Sequence, residues 1–202
     1  MAPTRERTPS PHPAPEVLGH GLRLSPWDPE SDADAATWLR ARADPEFRRW
    51  NTPLKPVTDL DAAHASLRAV AERMADGENV AFRVADAATG TTLGHLGVNA
   101  IDPVMRVARV GYWVLPEARG HRVAARALTL ASRWAFTELR LHRLELGHAL
   151  GHEASCRVAQ RCGYPYEGTL RGAMFRSGTL DAFRDVHLHA RLATDPEPGE
   201  PR

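Results

Sequence analysis

The sequence predicts an α/β domain with a mixed, mostly antiparallel central sheet flanked by helices. Three observations predict it. Apolar and polar residues alternate in successive short runs between residues 80 and 115, the mark of half-buried strands. Apolar residues recur at three- and four-residue spacing on either side of that meander, the mark of helices with one buried face. From residue 107 onward strand and helix signals alternate, and a meander followed by such an alternation makes a sheet with helices packed on it.

Taken in order, Leu22, Arg23 and Leu24 open as a short strand. Ser31 caps a helix, with Asp34 three residues on at capping-box spacing and Ala35, Trp38 and Leu39 as its apolar stripe. Asp44 and Pro45 end it. A second helix is expected from Thr58, with Asp61 at the matching position; Leu60, Ala63, Leu67, Val70 and Met74 keep helical spacing until Gly77. Strands follow through Val80, Phe82 and Val84, a turn over 86–90, and a strand through Leu96, Val98 and Ala100. A third runs over 107–115 and stops at Pro116. Val123, Ala127, Leu128, Ala131, Trp134 and Ala135 define a long amphipathic helix. Residues 143–150 read as strand, 154–162 as helix closed by Gly163, and 182–190 as a late strand.

The ends have a different character. Residues 1–15 hold five prolines, scattered charge and no apolar period, and residues 194–202 resemble them. The expected organisation is a proline-rich disordered tail over 1–20, one folded domain over 21–192, and a second tail over 193–202. The 202 residues suffice for an adequate core without disulfides or a structural metal. With 26 basic against 25 acidic side chains the net charge is +1, which argues against a general nucleic-acid or membrane binder. No apolar run has the length of a membrane span. Cys156 and Cys162 lie six apart, outside any CxxC arrangement, so neither a disulfide framework nor a zinc knuckle is expected, and a reducing, cytoplasmic setting is the simplest reading. Lys55 is the only lysine; the remaining basic side chains are arginine.

The most informative stretch is GYWVLPEARGHRVAARA, residues 111–127. An apolar strand stops at a proline, a short loop carries Arg119 and Gly120, and a helix starts at once. A helix N-terminus presents unpaired N–H groups and a positive dipole end, so such a loop suits a phosphate. Gly120 permits close approach or a positive φ, and Arg119 and Arg122 add charge. An ordinary strand-to-helix turn with solvated arginines would use the same residues. Neither a GxxxxGK[ST] loop nor a GxGxxG after the first strand is present, which excludes a P-loop nucleotidase and a dinucleotide fingerprint at that place.

WVLPEARGHRVAARAL resembles the acyl-CoA-binding motif of the GNAT N-acetyltransferase superfamily, Arg/Gln-x-x-Gly-x-Gly/Ala, with Arg119, Gly120, His121, Arg122, Val123 and Ala124 filling the pattern. HEASCRVAQRCGYPYEGTLR resembles the family's Asn-x-x-Ser…Gly-Phe/Tyr…Glu-Gly-x-x-Arg segment, and FRSGTLDAFRDVHLHARL its last strands. With the opening LRLSPWDPE, the likeness is greatest to the branch that acetylates ribosomal-protein N-termini (alanine or serine). It covers roughly residues 21–192 and implies the acyl-CoA N-acyltransferase fold. Two positions depart from it: the family's central glycine is Arg122, and the asparagine three before Ser155 is His152. Arg122 either ion-pairs with phosphate or obstructs the loop; His152 cannot donate and accept at once as an amide does.

The resemblance implies acetyl transfer from acetyl-CoA to a primary amine by direct attack in a ternary complex, with no metal. It also implies that backbone groups of Trp113, Val114 and Leu115 hold the pantetheine arm, although plain sheet core explains their side chains. Ser155 matches the serine placed near the thioester sulfur and is the leading candidate acid; a helix cap is the alternative. Tyr164 is a second candidate donor, with core packing as its alternative. Candidate bases are Glu145 and His148 on the adjacent strand and Tyr112 and Glu117 beside the loop, but Glu145 shares a strand face with Arg143, as in a surface ion pair. A strong base is dispensable for an α-amine: its pKa is about 7.7–8.0 against about 10.4 for lysine, so roughly a tenth is neutral at pH 7. A protein or peptide N-terminus is therefore the expected acceptor, with an antibiotic-type small amine or a non-catalytic CoA-binding module as alternatives. Partners are limited to that acceptor, with monomer and homodimer both open. Arg157 and Arg161 either reach CoA phosphates or form a solvated helix face. Glu167 and Gly168 shape an acceptor groove or a turn, and residues 45–56 are the expected acceptor lid. His187 and His189 share a strand face, but with no HExxH and no Cys at ligand spacing no metal site is expected.

Overall fold

Backbone pairing assembles eight strands into one sheet in the computed structural model, which describes residues 16–52 and 55–199. In chain order they are β1 (Val17–Gly19), β2 (Leu22–Pro26), β3 (Asn79–Asp86), β4 (Thr92–Asp102), β5 (Val107–Val114), β6 (Arg143–Ala149), β7 (Tyr166–Phe175) and β8 (Phe183–Leu192). Across the sheet they run β1-β2-β3-β4-β5-β6-β8-β7, and every neighbouring pair is antiparallel except β5 with β6. This is the mixed, mostly antiparallel sheet that the strand signals imply.

Helices cover both faces: α1 (Asp32–Ala43), α2 (Pro45–Trp50), α3 (Leu60–Ala75), α4 (Val123–Thr137) and α5 (Glu153–Arg161), with a 3-10 turn over Pro116–Ala118. Alternation along β3 separates two cores. Phe82 and Val84 join Leu22, Leu24, Leu96, Leu128 and Trp134 under α4, whereas Ala81 faces Trp27, Trp38 and Leu67 under α1 and α3. Burying each such leucine contributes about 1.5–3 kcal/mol relative to leaving it exposed.

The site is positioned by a break in pairing. The parallel ladder holds only Val107↔Arg143, Ala108↔Leu144 and Arg109↔Glu145. Beyond it β5 continues on β4 to Val114, and β6 continues on β8 to Ala149. The two strands part, leaving one edge of each unpaired around a wedge-shaped gap. On the other side of β5 the register with β4 shifts between Asn99 and Asp102, where Ala100 takes φ 50°; such a bulge bends the strand carrying it.

Four local expectations need correction. Asp44 and Pro45 do not simply stop α1: Asp44 ends it and also caps α2, its carboxylate accepting from the Phe47 N–H, with Pro45 at the first helical position where a missing N–H costs nothing. The cap of α3 is Asp59, which accepts from the Ala62 N–H, rather than Thr58. The expected tail over 1–20 overlaps β1, because Val17, Leu18 and Gly19 pair with β2. The expected tail from 193 includes Glu197, whose carboxylate pairs with the buried Arg191 and with Arg133. Residues 1–15 and 200–202 lie outside the described residues, as do Pro53 and Leu54 in the expected lid.

Candidate active site

A cleft of about 340 Å³ occupies the gap, lined by Tyr112, Trp113 and Val114 of β5, by the 118–125 loop and helix start, by α2, and by His152, Ser155 and Arg161 around α5. A smaller hollow of about 100 Å³ continues between the parted strands, against Gly111, Leu146, Gly147, His148 and Met174. Trp50, Asn51, Tyr112, His152 and Ser155 line both, so these five surround the junction.

The phosphate-type loop is built to leave donors free. Helices α1, α2 and α3 each have a Ser or Asp side chain capping the first turn, with acidic residues inside it. Helix α4 has neither: its cap residue, Arg122, makes no capping bond, and the first turn holds no acid. Its N-terminal N–H groups and dipole therefore face the cleft with no capping side chain or first-turn acid among the described residues to satisfy them. Gly120 takes φ 80° and Arg122 sits in the left-handed region at φ 57°, ψ 19°, where glycine is the unstrained residue. A glycine is what the acyl-CoA-binding motif that this loop resembles places at 122.

The arginines divide. Arg122 and Arg161 line the cleft and make no ion pair among the described residues. Arg119 lines it too, but its guanidinium is bound to the Asp44 carboxylate and donates to the Val114 carbonyl at 3.2 Å. Burial alone would raise the Asp44 carboxyl; the Arg119 guanidinium and the Phe47 and Glu46 N–H groups outweigh it and hold it below the usual carboxylate range. Arg157 turns toward Glu153 at 3.9 Å. Val123 and Ala124 line the cleft, while His121 is exposed and outside its lining.

Of the backbone expected to hold a pantetheine arm, only Val114 is suitably directed. The Leu115 N–H is used by the Leu93 carbonyl on the β4 side, and the Trp113 carbonyl points toward Gly94 of β4. Strand alternation therefore turns the N–H and C=O of Tyr112 and Val114 toward the gap. Leu115 is core, 1% exposed.

Ser155 lies in the first turn of α5, and its hydroxyl spans to the Tyr112 phenol at 2.9 Å instead of capping the helix. Burial pushes the Tyr112 phenol well above its usual range, despite the opposing hydrogen bond from Ser155, so it is a proton donor at any working pH. Tyr112 was expected only as a flanking base candidate. Tyr164, expected as a second donor, is fully buried and bonds Ser132 Oγ at 2.7 Å, away from both hollows. Glu145 is likewise engaged elsewhere: Arg143 bonds it at 2.9 Å and joins Glu167 beside it, and Arg109 lies 3.7 Å away. That ladder lies below the gap, at the last parallel pair. Glu117 pairs with Arg40 at 2.8 Å.

His152 caps α5 and stacks on Trp50, rings 4.4 Å apart and 8° from parallel. Burial first, then His148, pull its pKa down to about 4, so it is neutral at pH 7. Burial also holds His148 below the ordinary histidine range. Spacing along the chain gives these histidines no cysteine, but the fold brings one to them. Cys156 of α5 meets His148, His187 and His189, with one ligand atom from each within 4.8 Å of the others. Part of the expected lid is helix α2, tied to the β7–β8 hairpin by Ser177 Oγ donating to the Arg48 carbonyl and Arg184 to the Arg49 carbonyl, and just beyond the helix by Thr52 donating to the Arg176 carbonyl.

A parted parallel strand pair, with an uncapped helix start at the mouth of the gap, makes a cleft suited to a ligand that carries negative charge. The model of the acetyltransferase (GNAT) domain matches residues 22–165, and the chain belongs to that family of N-acetyltransferases. The ribosomal-protein-serine acetyltransferase of Escherichia coli (strain K12) is 30% identical over 100 residues, 50% of this chain and 54% of that protein. The chain spans about half the length of the first curated relatives it matches. Among solved structures, the ribosomal L7/L12 α-N-protein acetyltransferase RimL in complex with coenzyme A superposes with TM-score 0.78 at 19% identity, covering 88% of this chain and 98% of that one. Mycobacterium smegmatis RimJ, in complex with CoA-disulfide, gives 0.74 at 25% identity over 88% and 85%. No helix among the described residues is long and apolar enough to cross a membrane.

Proposed function

We propose that this N-acetyltransferase takes acetyl from acetyl-CoA and transfers it to the α-amine of a protein or peptide N-terminus, both substrates being bound together. The observation that carries the reading is the Tyr112–Ser155 hydroxyl pair on the wall shared by the large cleft and the small hollow. The names of the E. coli relative, RimL and RimJ support it. The large cleft suits the CoA arm, with its phosphates at the α4 N-terminus, Arg122 and Arg161. Bound acetyl-CoA supplies the activated thioester carbonyl.

The chain's own groups then divide the work. The Val114 N–H, on the free edge of β5, orients the arm. Ser155 donates its proton toward the departing sulfur while the Tyr112 phenol donates to Ser155, a two-hydroxyl relay. Among the described residues no Asp, Glu, Lys or Arg lines the small hollow, so none of them holds an ammonium ion there by charge. An acceptor entering as the free amine fits that lining, and the α-amine, with its pKa of about 7.7–8.0, is the amine class with the largest neutral fraction near pH 7. A volume of about 100 Å³ also fits a small N-terminal residue.

The test is thiol release from acetyl-CoA over paired peptides: free N-terminus without lysine, blocked N-terminus with lysine, and small polyamines. Release with the first alone, and kcat/KM levelling near pH 8, is expected. A thermal shift with acetyl-CoA but no release with any amine would replace the enzyme reading with a CoA-binding module.

A further inference from the structure

We propose that His148, Cys156, His187 and His189 form a zinc site that clamps α5 to the β6–β8 part of the sheet. The four come from three elements. His148 on β6 stands opposite His187 on β8 in the strand register, and His189 follows two residues on, so all three imidazoles share one face of the sheet. Cys156 on α5 completes the group, its sulfur 3.5 Å from His189 Nε2.

Local bonding has already set two of the ligands. His148 Nδ1 lies 3.1 Å from the Ala149 carbonyl and His189 Nδ1 3.0 Å from the Tyr164 carbonyl. A carbonyl only accepts, so each Nδ1 carries the proton and each Nε2 keeps its lone pair. Backbone carbonyls orient metal-bound imidazoles in this way. His148 Nε2 is buried with no hydrogen-bond partner among the described residues, an arrangement that is unfavourable unless a ligand fills it. The ring pairs are close, His148 to His189 at 5.3 Å and His148 to His187 at 5.6 Å.

The donor set selects the ion. Three imidazoles and one thiolate are borderline-soft ligands that favour Zn²⁺ over Mg²⁺ or Ca²⁺. Tetrahedral zinc needs donor–donor edges of roughly 3.3–3.8 Å, so donor atoms that lie within 4.8 Å of one another close by at most about 1–1.5 Å through side-chain rotation. On binding, the Cys156 S–H proton leaves to solvent as the S–Zn bond forms. Four protein ligands close the coordination sphere, which makes the site structural. Because Cys156 follows Ser155, the clamp also fixes the turn that carries the candidate acid. That consequence rests on the proposed function; metal binding itself does not.

The test uses the untagged full chain, stripped with a chelator and titrated with Co²⁺ and then Zn²⁺. One equivalent of Co²⁺ is expected to give intense tetrahedral visible bands with a near-ultraviolet thiolate-to-cobalt band, both bleached by Zn²⁺. Zn²⁺ should raise Tm by about 5 °C or more. Cys156→Ser should remove the thiolate band and Cys162→Ser should keep it. His187→Gln, at a half-buried position, should weaken binding at least ~10-fold and covers the case in which Cys156→Ser does not fold. A weak octahedral spectrum, a thiolate band that survives Cys156→Ser, or undiminished affinity in His187→Gln would overturn the proposal. These readouts are independent of acetyl transfer.

Discussion

Asp44 grips Arg119 across the mouth of the cleft, seventy-five positions away in the chain, with the same carboxylate oxygen that caps α2. One side chain thus joins the end of α1, the start of α2 and the loop that precedes α4. The pair also removes Arg119 from the free positive charge of the site. Arg122 and Arg161 are then the arginines of the cleft with no ion pair among the described residues, and the proposed function assigns them to the CoA phosphates.

Replacing Asp44 by Asn tests that division. Asn retains the capping oxygen, so α2 should persist, while the ionic grip on Arg119 is lost. Loss of about 1 kcal/mol of loop positioning corresponds to a rise of ~5-fold in KM for acetyl-CoA, with kcat nearly unchanged. Steady-state kinetics with circular dichroism checks it. A fall in kcat at constant KM would mean that the pair serves the reacting groups instead of the phosphate loop.

Arg122 combines an unfavourable backbone with a useful charge, and two substitutions separate them. Arg122→Ala removes the guanidinium and keeps the left-handed strain; Arg122→Gly removes both. Gly should be more stable than Ala by about 1 kcal/mol, read as Tm or a denaturant midpoint. Both variants should bind acetyl-CoA more weakly than the parent, and with a shallower dependence on salt. Equal affinity of the parent and the Gly variant would show that Arg122 stands clear of the phosphates.

What could be read along the chain was whatever depends on neighbours in sequence. The period of α4, the strands on either side of it and the loop at 119–124 are all local signals. Helix α2 escaped because six residues are too few to show a period, and because Pro45 signals a helix stop and a helix start equally well. The pairing of Tyr112, a candidate base by sequence, with Ser155 escaped for a different reason. Its value comes from where the β5–β6 ladder ends, three pairs after it begins, and register is not written in one strand alone. Tyr164 has the same side chain as Tyr112, yet Ser132 on α4 claims it inside the core. The histidine–cysteine group combines an H-x-H on β8 with single residues from β6 and α5, a spacing no linear motif carries.

Ser155 and Tyr112 should be separable as partners of one relay. Ser155→Ala removes the proposed donor to the sulfur, and turnover should fall on the order of 10²-fold with acetyl-CoA affinity little changed. Tyr112→Phe leaves Ser155 in place without its buried donor, so a smaller fall is expected. The double variant should be no slower than Ser155→Ala, because the phenol acts only through the serine. Pre-steady-state thiol release is the measurement. Multiplying effects in the double variant would assign the two hydroxyls to separate tasks.

His95 sets part of the acid stability. Trp27 Nε1 donates to its Nδ1 at 3.1 Å, which requires an unprotonated nitrogen there, and the ring stacks on Trp113 at 5.5 Å. Burial, then the nearby Arg42 guanidinium, lower its pKa to about 3, outweighing a backbone hydrogen bond at Phe82 that acts the other way. The unfolded chain takes up the proton near pH 6.5, and the folded chain refuses it until about pH 3. The unfolded state therefore binds more protons throughout that window, so stability is full above about pH 6.5 and declines as pH falls below it. His152, neutral for the same reason and lowered to about 4, acts with the same sign. Tm should drop by about 5 °C or more between pH 7 and pH 5. His95→Asn keeps an acceptor for Trp27 but cannot titrate, so its Tm, although lower at pH 7, should vary less with pH over that interval. Scanning calorimetry of both proteins at pH 7, 6 and 5 decides the matter: parallel curves would move the acid sensitivity away from His95.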